Sequence, residues 1–130
     1  MLRIEVLTLF PEVFTSFMET SLIKKGIECK KLNINLVNFR KNGIGKHQKV
    51  DDGPYGGGPG MLLRVEPIAL TLSEIKERNN NAGRNIHNIL ITPQGEKFNQ
   101  KKAESLSSRK EVLSLICGRY QGFDERIRSL

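Results

Sequence analysis

The stretch "LRIEVLTLFPEVF", Leu2 to Phe14, is the part of the chain that bears most directly on the fold. Alternating apolar residues lead into Leu7 and Leu9, which make the second half apolar on both sides. This pattern is typical of a buried parallel strand. Pro11 follows at a position where its missing N–H costs a helix nothing. We therefore predict a strand that leads directly into a helix.

The same alternation of strand and helix continues along the chain. The helix that opens at Pro11 is predicted to end at Gly26 and to turn its apolar residues towards the core: Phe10, Phe14, Phe17, Met18 and Leu22. Further strands are predicted over Leu32–Phe39, Ile86–Pro93 and Val112–Cys117, and further helices over Val65–Arg78, after an Asn99 cap, and from Phe123. Residues 40–60 are predicted to be a long loop, and 79–85 a flexible connection. Strand–helix alternation predicts an α/β fold with a mainly parallel sheet in one domain.

Composition narrows the class of protein. The chain has 130 residues, 38% of them hydrophobic, and no apolar run near the roughly 20 residues that span a membrane. No signal peptide is evident, so we expect a cytoplasmic protein with reduced thiols at Cys29 and Cys117. The two histidines are isolated and no C-x-x-C pair is present, which gives a metal site little support. The net charge of +7 fits a polyanionic partner such as nucleic acid.

A glycine-rich run, "KVDDGPYGGGPGM" from Lys49 to Met61, could be a phosphate-binding loop, a spacer or part of a site. A Walker loop that begins at Gly53 reaches Gly58 but then meets Pro59 where lysine is needed. A dinucleotide fingerprint that begins at Gly56 fails at Met61, and no strand immediately precedes it. The run is therefore not expected to bind a nucleotide phosphate.

Two short loops follow the last two predicted strands, "TPQGE" at Thr92–Glu96 and "GRYQG" at Gly118–Gly122. Ligands of parallel sheets bind outside the carboxyl ends of the strands, and glycine lets a ligand approach the backbone closely. These loops could form a small-molecule crevice, or their glycines could serve only to turn the chain.

Several motifs together resemble the bacterial tRNA (guanine-N1)-methyltransferases. They are "LTLFPEVF", "TSLIKKG", "KHQKVDDGPYGGGPGM", "EP" at 66–67, "TPQG" and "CGRYQGFDERI", in family order and spacing along the whole chain. The resemblance implies a SPOUT fold with a trefoil knot and a homodimer with sites at the subunit interface. It also implies S-adenosylmethionine-dependent methylation of N1 of the guanosine just 3′ of the tRNA anticodon. Cofactor contacts are expected from Leu90, Thr92, Pro93, Gln94, Gly118, Tyr120, Gln121 and Gly122, with Pro59 and Gly60 of the glycine run. Contacts with the anticodon stem-loop are expected from Lys46, His47, Asp51, Arg119 and Arg126.

The chain departs from the family pattern in two ways. The family usually has Glu where this sequence has Gln121, which removes a charge. The family chain is also longer, and by the resemblance its general-base Asp, its knot-closing segment and its C-terminal tRNA-binding domain lie beyond residue 130. Residues 1–130 are therefore expected to form an incomplete, unknotted N-terminal cofactor-binding domain with little or no activity alone. The alternative is a non-catalytic RNA- or cofactor-binding module.

Overall fold

The computed structural model describes residues 1–54, 56–119 and 122–130. The strands are β1 (Leu2–Leu7), β2 (Leu32–Val37), β3 (Asp51–Asp52), β4 (Leu62–Leu63), β5 (Ile86–Ile91) and β6 (Val112–Cys117). The main sheet has the order β2-β1-β6-β5, and every neighbouring pair in it is parallel. This confirms the predicted mainly parallel α/β fold.

The two central strands owe their place to their apolar sequences. β1 is buried from Glu5 onward, and β6 has four of its six residues buried. A core of aliphatic and aromatic side chains then fills the space beside the sheet, with Leu7, Phe39, Leu63 and Ile68 at 0% exposure. The buried residues of the longest helix, α3 (Val65–Asn81), form one wall of this core.

The helical segments are mostly short. They are 3-10 helices at Pro11–Phe14, Phe39–Asn42 and Glu125–Ser129, and α-helices α1 (Thr15–Met18), α2 (Ser21–Glu28), α3 and α4 (Gln100–Ser107). The Asn99 cap is confirmed, because its side chain accepts a hydrogen bond from the Lys102 N–H at 2.9 Å. The helix predicted from Phe123 is a 3-10 helix that begins at Glu125. No helix in the described part of the chain is long and apolar enough to cross a membrane.

The prediction of a single amphipathic helix that begins at Pro11 is wrong. The segment breaks into three pieces, and Ser21 adopts a left-handed conformation with φ of 48° where α2 begins. No residue of the three pieces is fully buried, and Phe17 and Leu22 are 54% and 79% exposed. Phe10 alone of the predicted apolar set packs against the main core. The breaks point the apolar residues in different directions, whereas a continuous helix would have aligned them on one face.

Gly26 does not end this helical segment, as the sequence suggested. α2 continues to Glu28, and Lys30 then takes the left-handed conformation with φ of 56°. The Lys31 N–H donates to the Gly26 carbonyl at 2.9 Å, and the Lys30 N–H to the Ile27 carbonyl at 3.0 Å. This is a Schellman ending, in which a lysine occupies the position that glycine usually takes.

The prediction of a flexible connection over residues 79–85 is wrong for residues 79–81, because α3 continues to Asn81. Asn79 is buried and donates to the Ile75 carbonyl at 2.9 Å. Beside it, the buried carboxylate of Glu5 in β1 binds Arg78 at 2.8 Å and Asn35 at 2.7 Å. These contacts tie the end of α3 to the centre of the sheet.

The predicted loop at 40–60 and the predicted end of the third strand also need correction. Residues 39–42 are a 3-10 helix, and β3 pairs in antiparallel fashion with β4, so the glycine run connects two short strands. β5 ends at Ile91 rather than Pro93, because proline cannot donate to the strand ladder.

Candidate functional site

The loops after β5 and β6 meet at the carboxyl edge of the sheet and enclose a cavity of about 140 Å³, called here the loop cavity. Its lining residues are Leu90, Thr92, Pro93, Gln94, Gly122, Phe123, Asp124, Glu125 and Arg128. Five of these were predicted as cofactor contacts. The parallel register explains the meeting, because Ile91 in β5 lies opposite Cys117 in β6 and both strands end there.

Arg128 lines the loop cavity and is hydrogen-bonded to residues on both sides of it. Its Nη2 donates to the Gln94 Oε1 of the opposite loop, and its Nε donates to Glu125 at 2.8 Å. The sequence did not mark Arg128 as a site residue, because the contact joins positions 34 residues apart. The side-chain oxygen of Gln94 therefore already accepts a hydrogen bond from Arg128.

A second space, of about 390 Å³, lies between β5 and α4 on the other side of the Thr92–Gly95 turn. Leu90 and Thr92 line both spaces, and Phe98, 70% exposed, lines only this one. The turn therefore has an open apolar groove on one side and the loop cavity on the other.

Gly118 and Phe123 meet at the floor of the loop after β6. A Cβ placed on Gly118 would lie 2.8 Å from two atoms of the Phe123 ring, so only glycine fits without a shift. The segment around Phe123 is fixed to β4, since the Leu63 N–H donates to Gly122 and the Leu63 carbonyl accepts from Asp124, both at 3.0 Å. The strand that ends the glycine run is thus bonded to the lining of the loop cavity.

Asp124 holds the start of the last 3-10 helix. Its carboxylate accepts hydrogen bonds from the Arg126 backbone N–H at 3.0 Å and from Arg126 Nη2 at 2.7 Å. These bonds hold the pKa of Asp124 below its ordinary value, although burial opposes them. Asp124 and Arg126 also line a charged space of about 330 Å³ with Asp52, Arg64 and Glu66. Asp124 therefore stands between the loop cavity and the ribbon of β3 and β4.

The glycine run takes a conformation that glycine alone adopts readily. Gly56, Gly57, Gly58 and Gly60 all have φ between 82° and 104°. Pro59 and Gly60, predicted to touch the cofactor, are exposed and do not line the loop cavity. The run leads from strand to strand rather than from strand to helix, in keeping with the rejection of a phosphate-binding loop.

The predicted RNA contacts fall in separate places. Lys46 and His47 are exposed in the loop after β2, Asp51 is in β3, and Arg126 is bound to Asp124. The Arg119 guanidinium lies over the Phe10 ring, 4.5 Å from its centre. Phe10 was predicted only as a core residue, and its contact with the loop after β6 could not be read from spacing.

The last predictions to compare with the structure concern Tyr120, Gln121, the two cysteines and metal binding. Tyr120 and Gln121 lie outside the described residues. Cys117 is half-buried in β6, as predicted, and burial raises the pKa of its thiol, which makes it a poor nucleophile. Cys29 is exposed, and both cysteines are free. Within residues 1–54, 56–119 and 122–130 no three metal-binding side chains cluster.

Comparisons with known proteins agree with one another. A family model described as tRNA (guanine-1)-methyltransferase TrmD matches residues 2–130. A tRNA (guanine-N(1)-)-methyltransferase of Metamycoplasma arthritidis is 49% identical over 97% of this chain and 51% of its own length. The protein of the same name from Enterococcus faecalis is 50% identical over 99% of this chain and 51% of its own. The crystal structure of the tRNA (m1G37) methyltransferase of Aquifex aeolicus superimposes with a TM-score of 0.82 at 37% identity, over 98% of this chain and 56% of that one. The chain spans about half the length of the curated relatives it matches.

Proposed function

Since the chain belongs to the tRNA (guanine-1)-methyltransferase family, we propose that it serves S-adenosylmethionine-dependent methylation of N1 of the guanosine 3′-adjacent to the anticodon. On this proposal residues 1–130 are the cofactor-binding part of a cytoplasmic enzyme. The observation that carries it is the loop cavity, in which Leu90 at the end of β5, Thr92, Pro93 and Gln94 in the loop after it, and Gly122 in the loop after β6 come together.

The loop cavity fits part of a nucleoside-sized cofactor. Its 140 Å³ is below the roughly 300–1,000 Å³ of ordinary small-molecule pockets, but the 390 Å³ groove adjoins it across Leu90 and Thr92. We propose that the cofactor lies along the Thr92–Gly95 turn and uses both spaces. Carbonyls and side-chain oxygens of this turn would hold its polar groups, and the Phe123 ring would pack against an apolar part. Gln94 would have to release Arg128 to take part.

The cofactor supplies a methyl group activated by its sulfonium, and the protein must align guanine N1 with it and accept the N1 proton. In the described chain the carboxylates at the cavity are engaged elsewhere: Asp124 binds Arg126 with a lowered pKa, and Glu125 pairs with Arg128. A general base works best with a pKa near the working pH. We therefore expect residues 1–130 alone to transfer methyl groups slowly or not at all.

The RNA would approach from the side of the loop after β2 and the glycine run. On this proposal Lys46, His47 and Arg119 would meet phosphates or bases, and the stack on Phe10 would restrict where the Arg119 guanidinium can point. The exposed glycine run, with Pro59 and Gly60, would lie against the RNA or the cofactor. The target base must leave its stack to reach such a pocket.

Calorimetry of the 130-residue chain tests the proposal. We expect S-adenosylmethionine to bind and S-adenosylhomocysteine to compete for the same site. Gln94→Ala should change that affinity, whereas Gln100→Ala, on the exposed face of α4, should not. Binding of tRNA with no cofactor binding would instead favour the non-catalytic RNA-binding module. Rapid methyl incorporation into tRNA by this chain would contradict our account of its carboxylates.

We also propose a homodimer, as the family resemblance implies. The segment from Pro11 to Glu28 exposes Val13, Phe17 and Leu22 at 68%, 54% and 79%, which is costly for large apolar side chains. A second copy that covers this face would remove them from water. Sedimentation velocity should show a dimer that Phe17→Glu dissociates and that Phe98→Glu, at a phenylalanine 70% exposed outside this face, does not. An unchanged dimer in Phe17→Glu would place the interface on another face.

A further inference from the structure

We propose that the edge of the main sheet at which its strands begin binds the phosphate backbone of RNA. This edge lies opposite the loop cavity and is called here the basic edge. Four cations define it: Lys30 and Lys31 before β2, Arg84 before β5 and Lys110 before β6.

The parallel register brings these cations into line. Leu32 lies opposite Leu2, Leu113 opposite Ile4, and Ile86 opposite Val112. Counting back along each strand puts Lys31, Lys110 and Arg84 at about the same height. The strands of Lys110 and Arg84 are neighbours about 4.8 Å apart, and β1 separates them from the strand of Lys31. The backbone holds them there, because Lys31 accepts a hydrogen bond from the Leu2 N–H and Asn85 from the Val112 N–H, both at 2.9 Å.

The charge of this edge is one-sided. The connections before β2, β5 and β6, residues 29–31, 83–85 and 108–111, hold five cations and a single carboxylate, Glu111, which Arg109 binds at 2.6 Å. The four cations of the basic edge have no ion pair within the described residues. At the opposite edge, the segments after β5 and β6, residues 92–99 and 118–124, hold two cations and two carboxylates, whereas the segment after β2, residues 38–49, holds four cations and no carboxylate.

Like charges kept close together raise the energy of the folded protein unless a polyanion neutralises them. Lys30, Lys31 and Lys110 are exposed and Arg84 is half-buried, so phosphates can reach them. A phosphate backbone releases its counterions when such cations neutralise it. This release favours binding whatever the nucleotide sequence. RNA is the polyanion that the proposed function brings to the protein, and the inference rests on that function for the choice of partner.

The basic edge would contact RNA at a distance from the target base. Strands of six residues at about 3.3 Å per residue separate it from the loop cavity by roughly 20 Å. The contacts would therefore fall outside the nucleotide that enters the cavity. They would add affinity and hold the RNA in place, while the loop cavity would still select the target.

Two double variants with the same change in net charge test the inference. Lys31→Glu/Lys110→Glu reverses the basic edge, and Lys97→Glu/Lys101→Glu reverses exposed lysines in and just before α4, away from this edge. Anisotropy of labelled tRNA is recorded over a range of KCl concentrations. We expect the basic-edge variant to raise the Kd at least about tenfold and to reduce the slope of log Kd against log salt by about 1.4 to 1.8, equivalent to two lost contacts. The control should change the Kd less than about threefold.

Equal losses in the two variants would overturn the basic edge. Because cofactor calorimetry does not involve this edge, unchanged S-adenosylmethionine binding in the same samples would leave the methyltransferase proposal standing. A wild-type chain that bound cofactor but no tRNA would likewise overturn the basic edge alone. Binding to phosphatidylserine vesicles that the basic-edge variant abolishes, with tRNA binding intact, would assign the edge to a lipid surface and contradict the inference.

Discussion

Gly118→Ala is the change whose effect can be worked out most fully from the structure. The added Cβ would lie 2.8 Å from Cε2 and Cζ of Phe123. Carbon atoms pack best at about 3.5–4.0 Å, so the ring would have to move by at least about 0.7 Å. The backbone on both sides of Phe123 is held by hydrogen bonds to Leu63, and the ring packs against the main core, so the ring has to turn against that packing to make room.

Overpacking of this kind costs about 1–3 kcal/mol. For a chain of 130 residues the entropy of unfolding is about 0.27 kcal/mol/K, so the melting temperature should fall by about 4–11 °C. Calorimetric melting measures this directly. Gly53→Ala is the matched control, because a Cβ at Gly53 meets nothing within 4 Å and its φ is not positive.

The contact with Phe123 can be isolated by a second substitution. Phe123→Leu removes the ring atoms that the new Cβ would strike, so the combination with Gly118→Ala should lose much less stability than the two single changes added together. Purely additive losses, or a melting temperature for Gly118→Ala within about 1 °C of that for Gly53→Ala, would refute the reasoning. We also expect weaker cofactor binding in Gly118→Ala, because Phe123 lines the loop cavity.

Three further substitutions test the buried core and the buried carboxylates. Phe39→Ala, at a fully buried side chain, should cost about 3–5 kcal/mol in urea unfolding. Glu5→Ala should cost about 1–3 kcal/mol, because it leaves Asn35 and Arg78 without their acceptor; Glu28→Ala, on the surface, is its control and should stay within about 0.5 kcal/mol. Asp124→Asn should destabilise the protein at pH 7, where wild-type Asp124 is ionised. Because folding lowers the pKa of Asp124, that advantage is complete above the unfolded value of about 3.9 and is lost as the pH falls through the lowered pKa of the folded protein, so the urea midpoints of the two proteins should approach each other over that range.

The sequence predicted the sheet well because a period of two and apolar runs on both faces are local signals. Val112–Cys117 was predicted with the boundaries that β6 has. The N-terminal helix failed for a different reason. Its apolar spacing was real, but Ser21 and Lys30 adopt left-handed conformations that neither residue type favours, and no local pattern announces them. Spacing also cannot tell a face that meets the core from one that is exposed.

The candidate site, too, could be predicted only where the sequence carries a local signal. Parallel strands end at one edge by necessity, so glycine-bearing loops after β5 and β6 were enough to predict where a crevice would lie. The contacts of Arg128 with Gln94 and of Arg119 with Phe10 join residues far apart in sequence. Only the folded chain brings them together, and a single sequence carries no signal for such pairs.

A titration of the ¹⁵N-labelled 130-residue chain with S-adenosylmethionine, followed by amide NMR, tests the central claim most directly. We expect the cofactor to bind at the two loops that follow β5 and β6. The amide shifts should change at residues 90–95 and 118–125 and very little in β3, α2 or the basic edge, and ATP should not reproduce them. Shifts that centre on another part of the chain, or an identical response to ATP, would contradict the account.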